Sequence, residues 1–240
     1  MNMQAILFND FFHQEFTPDE IRNRGLNMFK NSNLITDKNK GFPGIRKTVP
    51  SDIQEYIKKR VSDPVSMLLE HEKIPAVKNA HWHIMYHLTT SIHEQGLIHT
   101  DDPTWIAGVI YLNPNPPKNS GTKFYKVKRE YEGISIGLTG FRTACIIEDE
   151  ELLANFGREK KYYNERYYEE EKNIENVYNS LILYPGKYYH SPDQYFGETL
   201  EDSRLSIVIF ANVAYSLQHI DFDDIFQTQN QYLINNKKII

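Results

Sequence analysis

Residues 201–212 read EDSRLSIVIFAN, a strongly apolar stretch that opens on an arginine. In an extended strand successive side chains fall on opposite faces. Arg204, Ser206, Val208 and Phe210 then share one face, and Leu205, Ile207, Ile209 and Ala211 share the other. Similar runs lie upstream: AHWHIMYHL from residue 80, TWIAGVIYLN from 104 and GTKFYKV from 121, with ISIGLTGFRTACII from 134 adding one or two more. Turn residues separate them and no helical period intervenes. Many short strands of this kind favour an antiparallel sandwich or jelly roll over a parallel α/β sheet.

Upstream of residue 80 the pattern is helical. Thr17-Pro-Asp-Glu20 supplies a cap, a proline at the first helical position and a capping-box glutamate, with Ile21, Leu26 and Phe29 lining one side of a helix that ends near Lys30. KGFPGIRKTVP, residues 40–50, reads as an ordered loop; Ser51-Asp-Ile-Gln54 repeats the capping pattern, and Asp63-Pro64 starts a further helix. Residues 148–179, EDEELLANFGREKKYYNERYYEEEKNIENVYN, are long and charged and read as helical, either packed on a sheet edge or folded over a site. The expected organisation is one domain: helical support over 1–79, a β core over 80–213 carrying the 148–179 insertion, and an extension over 214–240.

Composition narrows the class. The 240 residues are 40% apolar, with 27 Lys plus Arg against 32 Asp plus Glu and a formal charge of -5. That balance argues against a general nucleic-acid binder, whose footprint is basic. Lys123, Lys126, Lys128 and Arg129 make a local basic patch that reads as a solvated strand end. The one cysteine, Cys145, excludes an internal disulfide framework and a CxxC metal site. No run approaches the length of a membrane span, and MNMQAILFNDFFHQEF lacks the basic start and apolar segment of a signal peptide, so a reducing cytoplasm is the expected compartment.

GLIHTDDPTW, residues 96–105, carries His99 and Asp101 two positions apart. On one strand both point to the same side and offer a nitrogen and an oxygen to one ion. A facial triad needs a second imidazole. Of nine histidines, His81, His83, His87 and His93 lie nearby, but His190 is the better candidate, because the Pro-Gly turn in LILYPGKYYH brings a distant segment beside the pair. Arg204, with Ser206 two positions on, suits a carboxylate through its fixed fork of donors; the alternative is an ion pair with Glu201 or Asp202. Tyr111 shares a face with Trp105, Val109 and Asn113, and its hydroxyl either reaches the same carboxylate or belongs to the core.

Taken in order, His99-Thr-Asp101, the WIAGVIYLN strand, NSGTKFYK, His190 and Arg204-Leu-Ser206 resemble the Fe(II)- and 2-oxoglutarate-dependent dioxygenases, in the branch of the prolyl hydroxylases, across residues 81–213. The resemblance implies a double-stranded β-helix, a jelly roll that is mainly β with flanking helices. It implies Fe(II) on His99, Asp101 and His190, and 2-oxoglutarate held by Arg204 with help from Tyr111 and Ser206. Ser120 stands where the family commonly has the first of two glycines, the second being Gly121 here. Asp101 retains the carboxylate that related halogenating enzymes lack. Phe210 replaces the second arginine of nucleic-acid-demethylating relatives.

The implied reaction hydroxylates a C–H bond, consumes O2 and releases succinate and CO2, with no separate catalytic base. The substrate stays open among an amino acid, a peptide-bound residue and a small metabolite. Arg46 either attracts an acidic group at the opening or belongs to a plain connecting loop. No membrane partner is implied, and oligomeric state is not legible. Two other classes remain: a non-catalytic jelly-roll binding module, and a metal-dependent hydrolase that uses the triad to activate water.

Overall fold

A computed structural model of the protein describes residues 4–34, 42–73, 80–93, 98–101, 104–131, 138–139 and 165–213. Helix α1 (Pro18–Phe29) and helix α2 (Ser51–His71) accompany eleven strands among the described residues. These are β1 (Ile6–Phe8), β2 (Ile45–Thr48), β3 (Ala80–Thr89), β4 (His99–Thr100), β5 (Ile106–Tyr111), β6 (Thr122–Val127), β7 (Leu138–Thr139), β8 (Tyr168–Ile174), β9 (Leu181–Pro185), β10 (Tyr189–Pro192) and β11 (Arg204–Val213). The larger sheet has the order β1-β9-β5-β11-β3-β2, and the smaller β7-β4-β10-β6-β8. Every described pairing is antiparallel except β4 with β7. The architecture is a jelly roll with flanking helices.

The alternation in β11 builds both layers. Leu205, Ile207, Ile209 and Ala211 join Ile84, Tyr86, Leu88, Ile106, Ile110, Leu181 and Leu183 in a core completed by the helices. α1 supplies Ile21 and Phe29, and α2 supplies Ile53, Ile57, Val61 and Leu68. The opposite face carries Ala107, Val109, Tyr111, Ile182 and Tyr184, which pack with Phe124 of the smaller sheet. The two halves of one strand's alternation therefore close two different spaces, one against helices and one between sheets. The second space holds the site. Trp105 precedes β5 and packs with the helix-side core, so it does not share the face of Val109 and Tyr111.

Thr17 caps α1 as expected, its hydroxyl accepting from the Glu20 N–H at 3.2 Å. Glu20 does not complete a capping box but pairs with Arg24 one turn on, at 2.7 Å. Three expectations are corrected. Residues 45–48 form edge strand β2 against β3, where the glycines and prolines of 40–50 suggested only a loop. Residues 51–71 form one helix running through Pro64, because buried Val61, Val65 and Leu68 on either side of the proline outweigh the one backbone hydrogen bond it removes. Pro50 occupies the cap of that helix and Ser51 makes no capping bond.

The third correction concerns the segment 148–179. Residues 148–164 lie outside the described residues, but 168–174 form strand β8. Glu and Lys favour helix intrinsically, yet here they answer charges across the sheet. Lys123 pairs with Glu170 at 3.0 Å and with Asp193 at 3.1 Å, and Lys126 pairs with Glu169 at 3.1 Å. Of the local basic patch, Lys123 and Lys126 thus have acidic partners across the sheet, Lys128 donates to the Glu165 carbonyl, and Lys126 and Arg129 are exposed. Cys145 and the 214–240 extension also lie outside the described residues.

Ile207 is fully buried at the centre of β11, paired with Tyr86 on one side and Ile110 on the other. Ile207→Ala is expected to cost about 2–5 kcal/mol through lost transfer energy and the cavity left behind. Urea unfolding should show a lower midpoint at an unchanged slope.

Candidate active site

Strands β4 and β10 pair with His99 directly opposite His190. That register places two imidazoles side by side, with ring centroids 4.5 Å apart. Asp101 follows β4 immediately, and its backbone N–H donates to the Gly186 carbonyl at 2.7 Å. Gly186 in turn donates to the Trp105 carbonyl at 2.9 Å, and any side chain at Gly186 would collide with the Thr104 carbonyl. The Pro-Gly turn therefore carries β10 back beside β4 and also pins the backbone that presents Asp101.

His99 Nε2 lies 3.6 Å from Asp101 Oδ1, and His190 Nε2 lies 3.2 Å from Asp101 Oδ2. One ligand atom from each residue falls within 4.8 Å of the other two. Among the described residues no other group of His, Cys, Asp and Glu converges in this way. His190 Nδ1 lies 2.9 Å from the Tyr188 carbonyl, an acceptor only, so Nδ1 keeps its proton and Nε2 is the nitrogen turned to the cluster. Tyr188 is itself held: its hydroxyl donates to Glu72 at the end of α2 at 2.9 Å, and Lys187 pairs with the same carboxylate.

The four histidines just upstream of the pair are employed elsewhere. His87 Nε2 donates to the Pro43 carbonyl at 2.7 Å, His81 and His83 stack on each other, and His93 bonds with Thr90. Burial and the nearby Arg46 guanidinium push the His87 imidazole well below its ordinary range and keep it neutral.

Arg204, Tyr111 and Ser206 are brought together in the space between the sheets. All three are buried. Arg204 Nε donates to the Ser120 carbonyl at 3.3 Å, Nη1 to the Ser206 hydroxyl at 3.4 Å, and the guanidinium carbon lies 5.7 Å from the centre of the Tyr111 ring. Tyr111 and Thr122 share a hydrogen bond of 2.7 Å. No ion pair joins Arg204 to Glu201 or Asp202, which are exposed; the Asp202 carboxylate accepts instead from Glu198, Thr199 N–H and the Thr199 hydroxyl. Among the described residues Arg204 has no acidic partner. Thr89 stands opposite Arg204 in the β3–β11 register, fully buried, and its hydroxyl lacks a hydrogen-bond partner among them.

The sequence marked Ser120 only as a departure from a glycine pair and did not single out Tyr184. Ser120 acts through its carbonyl, which any residue supplies, while the following Gly121 is required because a side chain there would strike the Ile174 carbonyl at the end of β8. Tyr184 projects from β9 onto the face of Ile182, its ring 4.8 Å from that of His190 and 5.0 Å from that of Phe124. Burial raises the Tyr184 hydroxyl well above its ordinary range; Asp101 adds to that, and Arg204 and Arg46 oppose it. It is a neutral hydroxyl that feels the charges of the Asp101 carboxylate and of both guanidinium groups. The only outward signal was its place in a strand beside the Pro-Gly turn.

The fold and this arrangement define a jelly-roll protein with a His-Asp-His cluster and a buried arginine on the inner sides of its sheets. Residues 17–211 match a family of unknown function (DUF6445), and the chain belongs to that family. No curated protein matches the sequence. Among solved structures the fold is shared with HygX from Streptomyces hygroscopicus with nickel and 2-oxoglutarate bound, at a TM-score of 0.53 and 11% identity over 89% of this chain and 84% of that one. The apo form of HygX gives 0.51 and 10%, with 89% and 84% covered. A prolyl-4-hydroxylase from Pseudomonas putida aligns more loosely, with a TM-score of 0.45 and 11% identity over 88% of this chain and 93% of that one.

Burial works against charge on both members of the Asp101–His190 pair, but each stabilises the other. Asp101 stays below its ordinary value through His190, His99 and Arg46, and His190 is raised above its ordinary 6.5 through Asp101. A cation bound between them must displace the imidazolium proton. Zinc affinity, titrated calorimetrically across a pH series, is expected to fall about tenfold per pH unit once pH drops below the raised His190 range. An affinity independent of pH there would remove His190 from the ligand set.

Proposed function

We propose that the chain is a non-haem Fe(II)- and 2-oxoglutarate-dependent dioxygenase that hydroxylates a C–H bond. His99, Asp101 and His190 hold the metal, and Arg204, with Ser206 and Tyr111, holds the cosubstrate. The donor set fits: two imidazole nitrogens and one carboxylate oxygen on one face suit a ferrous ion with open positions. Ligands about 2.1 Å from an ion at right angles stand roughly 3 Å apart, close to the 3.2 Å between His190 and Asp101. The bound ion and 2-oxoglutarate supply the oxidising power, with O2 consumed and succinate and CO2 released.

What this chain's residues do follows from their contacts. The Tyr188 carbonyl keeps His190 Nε2 directed at the cluster, free to bind the ion once its proton is displaced. Arg204 offers an in-plane donor edge to a distal carboxylate, and the Thr89 hydroxyl across the register, without a partner among the described residues, adds a donor. Val109, Phe124 and Ile182 line the space with apolar surface and exclude water from it. The substrate class has been narrowed by none of these contacts; an amino acid, a peptide-bound residue and a small metabolite all suit the chemistry.

The observation that carries this reading is Arg204, a buried guanidinium with no carboxylate among the described residues to neutralise it. Burying an unpaired charge costs several kcal/mol, and an incoming diacid removes that cost. A hydrolase using the same three ligands leaves the arginine without a purpose.

Anaerobic addition of Fe(II) and 2-oxoglutarate is expected to produce a weak visible charge-transfer band. His99→Ala should abolish it. Arg204→Leu should weaken 2-oxoglutarate binding about thirtyfold or more, the equivalent of about 2 kcal/mol. Under air, succinate should accumulate only with the iron-loaded protein. Turnover supported by zinc without O2 or 2-oxoglutarate would instead establish the hydrolase.

A further inference from the structure

A second arginine shares the inner space. Arg46 lies on edge strand β2 opposite His87, in the row that continues through Ser206 of β11 to Tyr111 of β5. Same-row neighbours project to the same side of a sheet, so Arg46 emerges toward the smaller sheet, as Ser206 and Tyr111 do. Its guanidinium carbon lies 4.0 Å from the centre of the Phe42 ring and 5.5 Å from that of Phe210. Phe210 sits in the row of Ala107 and Tyr184, and Tyr184 touches His190. The arginine thus reaches along the sheet from the Ser206 row toward the His99–Asp101–His190 end. Asp101 and Arg46 are close enough to influence each other's charge.

Its polar surroundings are incomplete. Among the described residues no carboxylate oxygen lies within ion-pair distance of Arg46, and its Nε is buried without an acceptor. Aromatic rings attract the faces of a guanidinium but leave its edge unsatisfied, and that edge matches a carboxylate in the same plane. Arg204 already has a role under the proposed function, and a single 2-oxoglutarate does not need both arginines for its distal carboxylate. Asp101 is within electrostatic reach but makes no direct pair, which leaves the guanidinium edge for a ligand.

We propose that Arg46 anchors a carboxylate of the substrate, and that the substrate is a small organic acid held with its target carbon at the His99–Asp101–His190 end. This rests on the dioxygenase reading for what happens next, but the anion site itself stands on Arg46, Phe42 and Phe210. The chemistry of the site selects a carboxylate over its neutral amide, because an amide leaves the cation uncompensated.

The test uses the full chain loaded with zinc, which does no redox chemistry, and saturated with 2-oxoglutarate so that Arg204 is occupied. Arginine Nε–H resonances are followed by nitrogen–proton correlation NMR, with that of Arg46 assigned through bonds and by its loss in Arg46→Lys. Propionate is expected to shift the Arg46 resonance saturably, and propionamide at equal concentration to shift it at least tenfold less. No saturable shift with propionate, or equal shifts with both probes, overturns the proposal, and this comparison needs only the unaltered protein. The dioxygenase reading fails separately if Arg204→Leu leaves 2-oxoglutarate affinity unchanged. A propionate-specific shift at Arg46 would then still establish the carboxylate site, whereas its absence with normal 2-oxoglutarate binding would remove that site alone.

Discussion

The pairing of β4 with β10 sets the chemistry of this molecule. Two short strands meet with His99 facing His190. One residue's slip in that register would turn one imidazole to the opposite side of its sheet. The register is secured from both ends: His190 also pairs with Phe124 of β6, and the Pro-Gly turn before β10 is bonded to the backbone of Asp101 and Trp105. A His-Asp-His cluster drawn from two distant stretches of the chain is thereby held by ordinary backbone hydrogen bonds, with little left to side-chain adjustment.

The larger sheet plays a complementary part. Its helix-facing side is almost wholly apolar and gives the fold its stability. Its inner side accepts features a pure core would not: buried Arg204, half-buried Arg46, neutral His87 and a fully buried threonine hydroxyl without a partner among the described residues. Burial on the outer side offsets what these groups cost. A single strand, β11, serves both purposes because its side chains alternate.

Much of this was legible because it was local or periodic. The period-two pattern of β11 and β5 gave the layers, and His99 with Asp101 announced itself by a two-residue spacing. His190 was singled out from nine histidines by the turn before it. Where reading failed, tertiary context overrode local preference. The polar edge strand IRKT has no apolar alternation to show, and the YEEEKNI strand is built from helix-favouring residues whose partners are lysines across the sheet. Pro64 looked like a helix start because nothing in the local sequence weighs its cost against the packing of Val61 and Val65. Tyr184 and Thr89 look like any other residues of apolar strands, and the carbonyl of Ser120 carries no residue signature at all.

Glu72, at the end of α2, binds both Lys187 and the Tyr188 hydroxyl, and the Tyr188 carbonyl orients His190. The aim of an imidazole is therefore anchored in the helical layer, through a carboxylate outside the His-Asp-His cluster. Wear or strain at the tip of that helix would be transmitted as a rotation of the ring, like a rudder worked from the far end of its tiller. The layer that looks like scaffolding is also part of the steering.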